Sequence, residues 1–399
     1  LEHLGRIAGK SRPWSWAAKK YKKINGLYEV RPQSNHKGED CMSISLKRSG
    51  FGTGSVATFA GAAALAVSFA MPATAADFYK DKQVELTIGA NPGGGYDGYA
   101  RLTARYIVGH IPGKPTIIPR NRPGAGSRKA LNWFFTGAPK NGRVFGAFYP
   151  SALIDPVLRP KRSTYDVTKL NFLGSINKTA RQCIARKDAK VQTFDDLFKH
   201  ELAIGATSRG GSTRDYALMM NNVLGTKFRV ISGYKGSKGI LLSIERNETQ
   251  GLCGYAWSSL KKAKPTWAKG EFINVLVQTN LNPHGPMTKL GAPMLQKYIK
   301  TKKQRQIIEF FLKQHEFGRP YAMPPGSPKE AVTIMRNAAM TTWNSTQFKL
   351  GAKKIRLDVN PIDANEIQKL LKELFALPKP LVDEIVSITK KKKKKKKKM

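Results

Sequence analysis

The 399 residues are 41% hydrophobic, enough for a packed core and for two domains of ordinary size, which excludes a disordered polymer. Lysine and arginine number 69 against 27 aspartate and glutamate, a net charge of +42. A field of that sign favours anionic ligands or an acidic partner surface and does not by itself mean nucleic acid.

The two ends account for part of the charge. Residues 1–41 show no clear periodicity and precede a complete export signal, so they read as a non-native leader. From Met42 the chain has a basic start, Lys47-Arg48, then an apolar run from Val56 to Ala70, then the small-residue pattern Pro72-Ala73-Thr74-Ala75. That is a signal peptide over 42–76, cleaved after Ala75 or Ala76. The apolar run is short for a spanning helix, so the expectation is an exported protein, placed in the periplasm. Lys390 to Lys398 form an unbroken lysine run that cannot pack, and 390–399 is expected to be a disordered tail. The remainder, 77–389, keeps 49 basic and 23 acidic residues, a net of +26.

Residues 90–101 read ANPGGGYDGYAR, between a strand-like run, Val84 to Gly89, and a helix-like run, Tyr99 to Ile111. Gly93, Gly95 and Gly98 fit the G-x-G-x-x-G spacing. A dinucleotide site needs an acidic residue about twenty positions on; from Gly98 to Ile154 the chain has none. No Gly-Lys-Ser/Thr follows, so the phosphate-loop reading fails too. A structural turn and a small-anion site remain, the second because a helix start offers bare amides and partial positive charge.

Further along, Thr116 to Pro119 predicts a strand, Arg128 to Thr136 a helix and Val144 to Phe148 a strand. Cys183-Ile184-Ala185 and Leu202 to Ala206 predict strands, Asp215 to Leu224 a helix, and Arg229-Val230-Ile231 a strand. Gly239 to Arg246 is helical, and Gly251 to Trp257 returns as a strand. Beyond Pro283 the pattern turns helical, over Gln304–Gln314, Pro328–Thr342 and Asp363–Ala376. The alternation predicts an α/β fold. A strand, a small-residue turn and a helix recur three times, with turns at Gly93–Asp97, Tyr149–Ala152 and Thr207–Thr213. Such turns at the carboxyl ends of parallel strands form a ligand crevice.

Cys183 and Cys253 are the cysteines of the expected mature chain. An even pair in an exported protein suggests one disulfide, against two buried free thiols. His110, His200, His284 and His315 are scattered with no metal spacing, and no G-x-S-x-G elbow occurs. No catalytic residue, metal ligand or cofactor is assigned. Two rivals remain: an α/β enzyme using the glycine loop for a nucleotide, and a basic exported protein binding nucleic acid or acidic polymers through charge. The lysines are spread through the chain with no basic module, so no specific nucleic-acid partner is expected.

Ala90-Asn91-Pro92-Gly93-Gly94-Gly95-Tyr96-Asp97 followed by Asn121-Arg122-Pro123-Gly124-Ala125-Gly126-Ser127 resembles the paired signature of the substrate-binding receptors of tripartite tricarboxylate transporters, the Bug-type periplasmic proteins. Thr193-Phe194-Asp195-Asp196-Leu197, Gly233-Tyr234-Lys235-Gly236 and Arg319-Pro320-Tyr321-Ala322-Met323-Pro324-Pro325-Gly326 agree in order and spacing. The resemblance implies a two-lobed clamshell of the type II periplasmic binding protein class with a central cleft. Lobe 1 would be 77–177 plus 280–389 and lobe 2 178–279, with hinges near Gly174–Lys178 and Gln278–Pro283. It implies a monomer that binds a small organic carboxylate, or a related acid or amide, and delivers it to membrane permease subunits. Carried over, the ligand would meet Gly94, Gly95, Tyr96 and Asp97, with Asp97 organising the loop, and Tyr149 and Ser151 from the next turn. Ser208, Gly211, Ser212 and Thr213 would face it from lobe 2. Arg209 and Arg214 flank that turn, where the family has small or neutral residues; they are either ion-pair donors to a dicarboxylate or solvated surface. Tyr234 and Trp257 either wall the pocket or belong to the core.

Overall fold

A computed structural model describes residues 78–160 and 163–388. The leader, the signal peptide and the lysine run lie outside these residues. Strands are β1 (Gln83–Ile88), β2 (Thr116–Asn121), β3 (Val144–Ala147), β4 (Asn171–Ser175), β5 (Arg181–Arg186), β6 (Leu202–Ala206), β7 (Phe228–Ser232), β8 (Gly251–Ala256), β9 (Ile273–Gln278) and β10 (Pro320–Met323). They form two five-stranded sheets, ordered β2-β1-β3-β10-β4 and β7-β6-β8-β5-β9.

The two sheets repeat one plan. In the first, β1 pairs in parallel with β2 and β3, and β10 runs antiparallel between β3 and β4. In the second, β6 pairs in parallel with β7 and β8, and β5 runs antiparallel between β8 and β9. The antiparallel strand is in each case the one the chain enters after crossing from the other sheet. β3, β5, β6 and β8 are buried along most or all of their length, as expected of strands covered on both faces. This is an α/β fold of two lobes with a cleft between them.

Helices pack on the sheets through apolar faces. Tyr99, Leu102 and Ile107 of the helix Gly95–Ile107 join Val84, Leu86 and Ile88 of β1 in the first lobe's core. Helix Lys329–Asn344 adds Met335, Ala339 and Trp343 to the same cluster. Ile240, Leu241 and Ile244 of helix Gly236–Glu245 pack with Leu252 of β8 and Trp257 in the second lobe. Cys183 on β5 and Cys253 on β8 are bonded across neighbouring antiparallel strands, with Cα atoms 3.9 Å apart. The expected bridge is therefore present.

Three helices begin three or four residues earlier than the sequence predicts, and the discrepancy has one cause. The starts expected at Tyr99, Asp215 and Gly239 lie at Gly95, Ser212 and Gly236. Glycine and serine weaken helix interiors, but the first turn makes no upstream hydrogen bonds and tolerates them. The turn expected at Tyr149–Ala152 is a short helix, Pro150–Leu153, with proline at its start. The C-terminal third is not wholly helical, because β10 returns to fill the first sheet. β9 and the helices Trp257–Ala263 and Thr346–Lys354 had no sequence assignment.

His315 is buried between the lobes' helices, its ring stacked on Tyr216 at 5.2 Å with Nε2 2.6 Å from the phenol oxygen. Burial, then the charge of Arg181, hold its imidazole well below the ordinary value of 6.5. The folded protein therefore keeps His315 neutral where the unfolded chain protonates it. Stability contributed this way is complete above pH 6.5 and is lost as the pH falls below it. His315→Phe should flatten the fall of the urea midpoint between pH 6.5 and 4.5. An unchanged slope would show that His315 does not titrate on unfolding.

Candidate functional site

The carboxyl ends of the parallel strands in both lobes meet at the cleft. From β1 the chain turns through Gly93 and Gly94 into its helix, and from β6 through Gly210 and Gly211 into the helix Ser212–Val223. Both helix starts have extended glycine caps with no side-chain cap bond. Each is organised instead by an aspartate in its first turn. Asp97 Oδ2 accepts the Gly93 amide at 2.9 Å, and Asp215 Oδ2 accepts the Gly210 amide at 3.1 Å. The bound amide precedes the cap in both, so neither carboxylate takes up the first-turn amides of Gly95, Tyr96, Ser212 and Thr213, residues that line the cleft.

Asp97 also accepts from Asn121 Nδ2 at 2.9 Å and from Arg101 Nε at 3.0 Å. Burial works to raise its pKa, but the Gly93 amide, Asn121 and Arg101 outweigh it and hold the carboxyl below its usual range. The stabilisation is present above the ordinary carboxyl value and is lost on acidification through the lowered one. Asp97→Ala should cost about 1–2 kcal/mol, as for a lost helix cap, and weaken ligand binding by freeing the Gly93 turn. Urea titration and calorimetry on one sample check both; loss of stability with unchanged affinity would separate Asp97 from the site.

Ser127 joins the first lobe's loops. Its hydroxyl donates to Gly89 O at 2.7 Å and accepts from Tyr149 N at 2.9 Å. Its neighbour Gly126, at φ +65°, lies so close to the other lobe that an added Cβ would sit 2.9 Å from the Gly210 carbonyl carbon and oxygen. The lobes are closed on each other here. Gly126→Ala costs about 1–2 kcal/mol for the left-handed backbone alone. Where only the closed form binds, it should weaken affinity by about tenfold. An unaffected titration would show that this contact is not part of the binding form.

The cleft holds two adjoining hollows. The first has a cavity volume of about 50 Å³ and is lined by Gly94, Gly95, Tyr96 and Tyr149 from one lobe and Ser212 and Thr213 from the other. By the one-water threshold of about 10–15 Å³ it holds several waters or a small ligand. The second, about 210 Å³, shares Ala90, Asn91, Tyr149, Thr207 and Lys235 with the first and adds Ser208 and Tyr234. Of the remaining expected site residues, Asp97, Ser151, Arg209, Gly211 and Trp257 line neither hollow. Arg214 pairs with Asp215 at 2.8 Å, and Trp257 is buried beside His284.

Two residues with no role assigned from sequence dominate the first hollow: Arg181, which opens β5, and Arg319, which precedes β10. They are 4% and 2% exposed. No local sequence pattern sets these two arginines apart from surface ones. Gly95 touches this group closely; a Cβ on it would lie 1.9 Å from Ser259 Oγ and 3.4 Å from Arg319 Nη2. Lys235 and Lys238 also line the hollow, and no aspartate or glutamate does.

No protein-family model and no curated protein sequence matches the chain. Solved structures do match, over most of their length. The periplasmic binding protein BugD is 17% identical, with a TM-score of 0.58 over 78% of this chain and 97% of its own. The fold is that of the TctC- and Bug-type solute-binding proteins. An R. palustris protein solved with adipate has 18% identity and a TM-score of 0.59 over 77% of this chain and 97% of its own. MatC from Rhodopseudomonas palustris, with bound malate, has 14% identity and a TM-score of 0.58 over 77% and 99%. In this chain the turns after β1 and β6 lie opposite one another across the cleft and both line the first hollow.

Proposed function

We propose that this protein is an exported solute-binding receptor that captures a small organic carboxylate between its lobes and delivers it, as a monomer, to the membrane permease of a tripartite transporter. One observation carries the reading. Two helix starts and two buried guanidinium groups converge on a single hollow with no carboxylate in its lining. Helix starts favour anions by about 0.3–1 kcal/mol each, and more in partly buried geometry. Closure removes water and strengthens the amide–carboxylate bonds. Adipate and malate bound to proteins of the same fold support the ligand class.

The experiment is calorimetry of the protein against mono-, di- and tricarboxylates and amides. Saturable binding of at least one small acid is expected, surviving 0.5 M salt because the site is enclosed. A response that vanishes with salt for every compound would leave only charge-driven adhesion and overturn the reading.

A further inference from the structure

Resting on the reading of this protein as a receptor whose lobes close on a ligand, we propose that the short helix Trp257–Ala263 of the second lobe is the clasp of the closed form, and that Gly98, Lys261, Lys262 and Asp358 set the affinity for every ligand without touching one. The clue is the run of glycines over residues 93–98, of which the cleft uses only part. Gly94 and Gly95 line the first hollow, whereas Gly93 and Gly98 line neither. Gly98 lies inside a helix, where glycine costs about 0.5–1 kcal/mol relative to alanine, so it needs a reason.

Its surroundings supply one. A Cβ added to Gly98 would lie 2.2 Å from Lys262 Nζ, and one added to Gly95 would lie 1.9 Å from Ser259 Oγ. On Gly94 it would lie 3.6 Å from Ser237 Oγ, and on Gly93 3.8 Å from Lys238 Cδ. In all four cases the nearest atom belongs to the second lobe. The glycines thus form a bare strip of the first lobe on which the second one lands, because only backbone allows so close an approach.

The strip and the clasp match in spacing. Residues three apart share a face of a helix. Gly95 and Gly98 are so placed on the helix Gly95–Ile107, and their partners Ser259 and Lys262 are so placed on Trp257–Ala263. Lys262 is pressed on the strip closely enough to lose part of its water: burial holds its pKa below the ordinary lysine value, and the charge of Asp97 offsets only part of this. Lys261 reaches the first lobe by charge, its Nζ 2.6 Å from Asp358 Oδ1. Asp358 is pinned to the same first-lobe helix, since Tyr99 Oη donates to its carbonyl at 2.7 Å and accepts from its amide at 3.1 Å. Opening the lobes separates all of these pairs, so they stabilise only the closed form, whatever occupies the hollow. Apparent affinity scales with the fraction of protein able to close. A wedge at the strip therefore weakens all ligands by one factor and leaves their order alone.

The test is calorimetry of the full chain against acetate, pyruvate, succinate, malate, adipate and citrate, with the parent, Gly98→Leu, and Gly98→Leu combined with Lys262→Ala. Leucine is chosen because the flexible lysine head could swing aside from an alanine, whereas leucine fills the space of its stem. Gly98→Leu is expected to bind each acid that the parent binds about tenfold more weakly, in the same order. Its urea midpoint should be no lower than the parent's, because leucine is the better helix former. Removing the Lys262 side chain as well should bring affinity back to within about threefold of the parent, as expected of residues in contact. Lys261→Met should cost about two- to fivefold at low salt, the worth of a partly exposed ion pair. Parent affinity in Gly98→Leu, a loss that the double variant does not recover, or a changed order of the acids would overturn the clasp and leave the receptor reading intact. If Gly98→Leu does not fold, Lys261→Met decides, and parent affinity there would overturn the clasp. Saturable binding of no acid in the panel would overturn the receptor reading, and the clasp with it.

Discussion

Asp215→Ala should lower the free energy of unfolding by about 3–5 kcal/mol, the cost of removing one member of a buried charge pair. Asp215 accepts from Arg159 Nη2 at 2.7 Å, Arg214 Nη1 at 2.8 Å and the Gly210 amide. Arg159 is also held by Asp155, which takes Arg128 at 3.0 Å and Ser163 at 3.1 Å. Deleting Asp215 leaves buried Arg159 with Asp155, which it shares with Arg128, and neither guanidinium can shed its proton. It also strands the Gly210 amide at the site's second turn. Asp155 and Arg159 follow β3 of the first sheet, whereas Asp215 belongs to the helix after β6 of the second, so the cluster ties the lobes together. Arg159→Met combined with Asp215→Leu should cost less than Asp215→Ala alone, because no charge is left buried without its partner. Urea unfolding of the three proteins checks both statements. A single variant within 1 kcal/mol of the parent would contradict a coupled buried cluster.

Removing the Cys183–Cys253 bridge should cost about 4 kcal/mol. The residues are 70 apart in sequence, and closing a loop of that length restricts the unfolded chain far more than the native one. Both side chains are fully buried, and free cysteines pack as small apolar groups, so the double alanine variant should fold with modest loss of contacts. Oxidised and reduced samples in the same urea series should differ in midpoint, and the double variant should match the reduced protein. Coincident curves would contradict a bridge that constrains the unfolded state.

The alternation of apolar runs and helical segments was legible because β3, β6 and β8 are buried along their whole length and stand out as short continuous apolar stretches. The helix starts were not. Gly95, Ser212 and Gly236 look like turn residues, and propensity places them outside a helix, yet the first turn does not test propensity. The glycine turns were therefore found while the amides that face the cleft were assigned to loops. Arg181 and Arg319 escaped for a different reason. An arginine reads as surface until the fold encloses it, and what marks these two is the lack of a nearby acid in space, which no local pattern reports. Arg209 and Arg214, next to the glycine turn in sequence, attracted attention instead; Arg214 pairs with Asp215 and neither lines the cleft.

The most direct measurement is a crystal structure grown with the tightest-binding acid of the calorimetric series. The expected result is one ligand in the closed cleft, with a carboxylate at the amides of the Gly95 and Ser212 helix starts and within about 3.5 Å of Arg181 or Arg319, the outer limit of a hydrogen bond. An acid bound elsewhere on the surface, with this hollow holding only water, would contradict it.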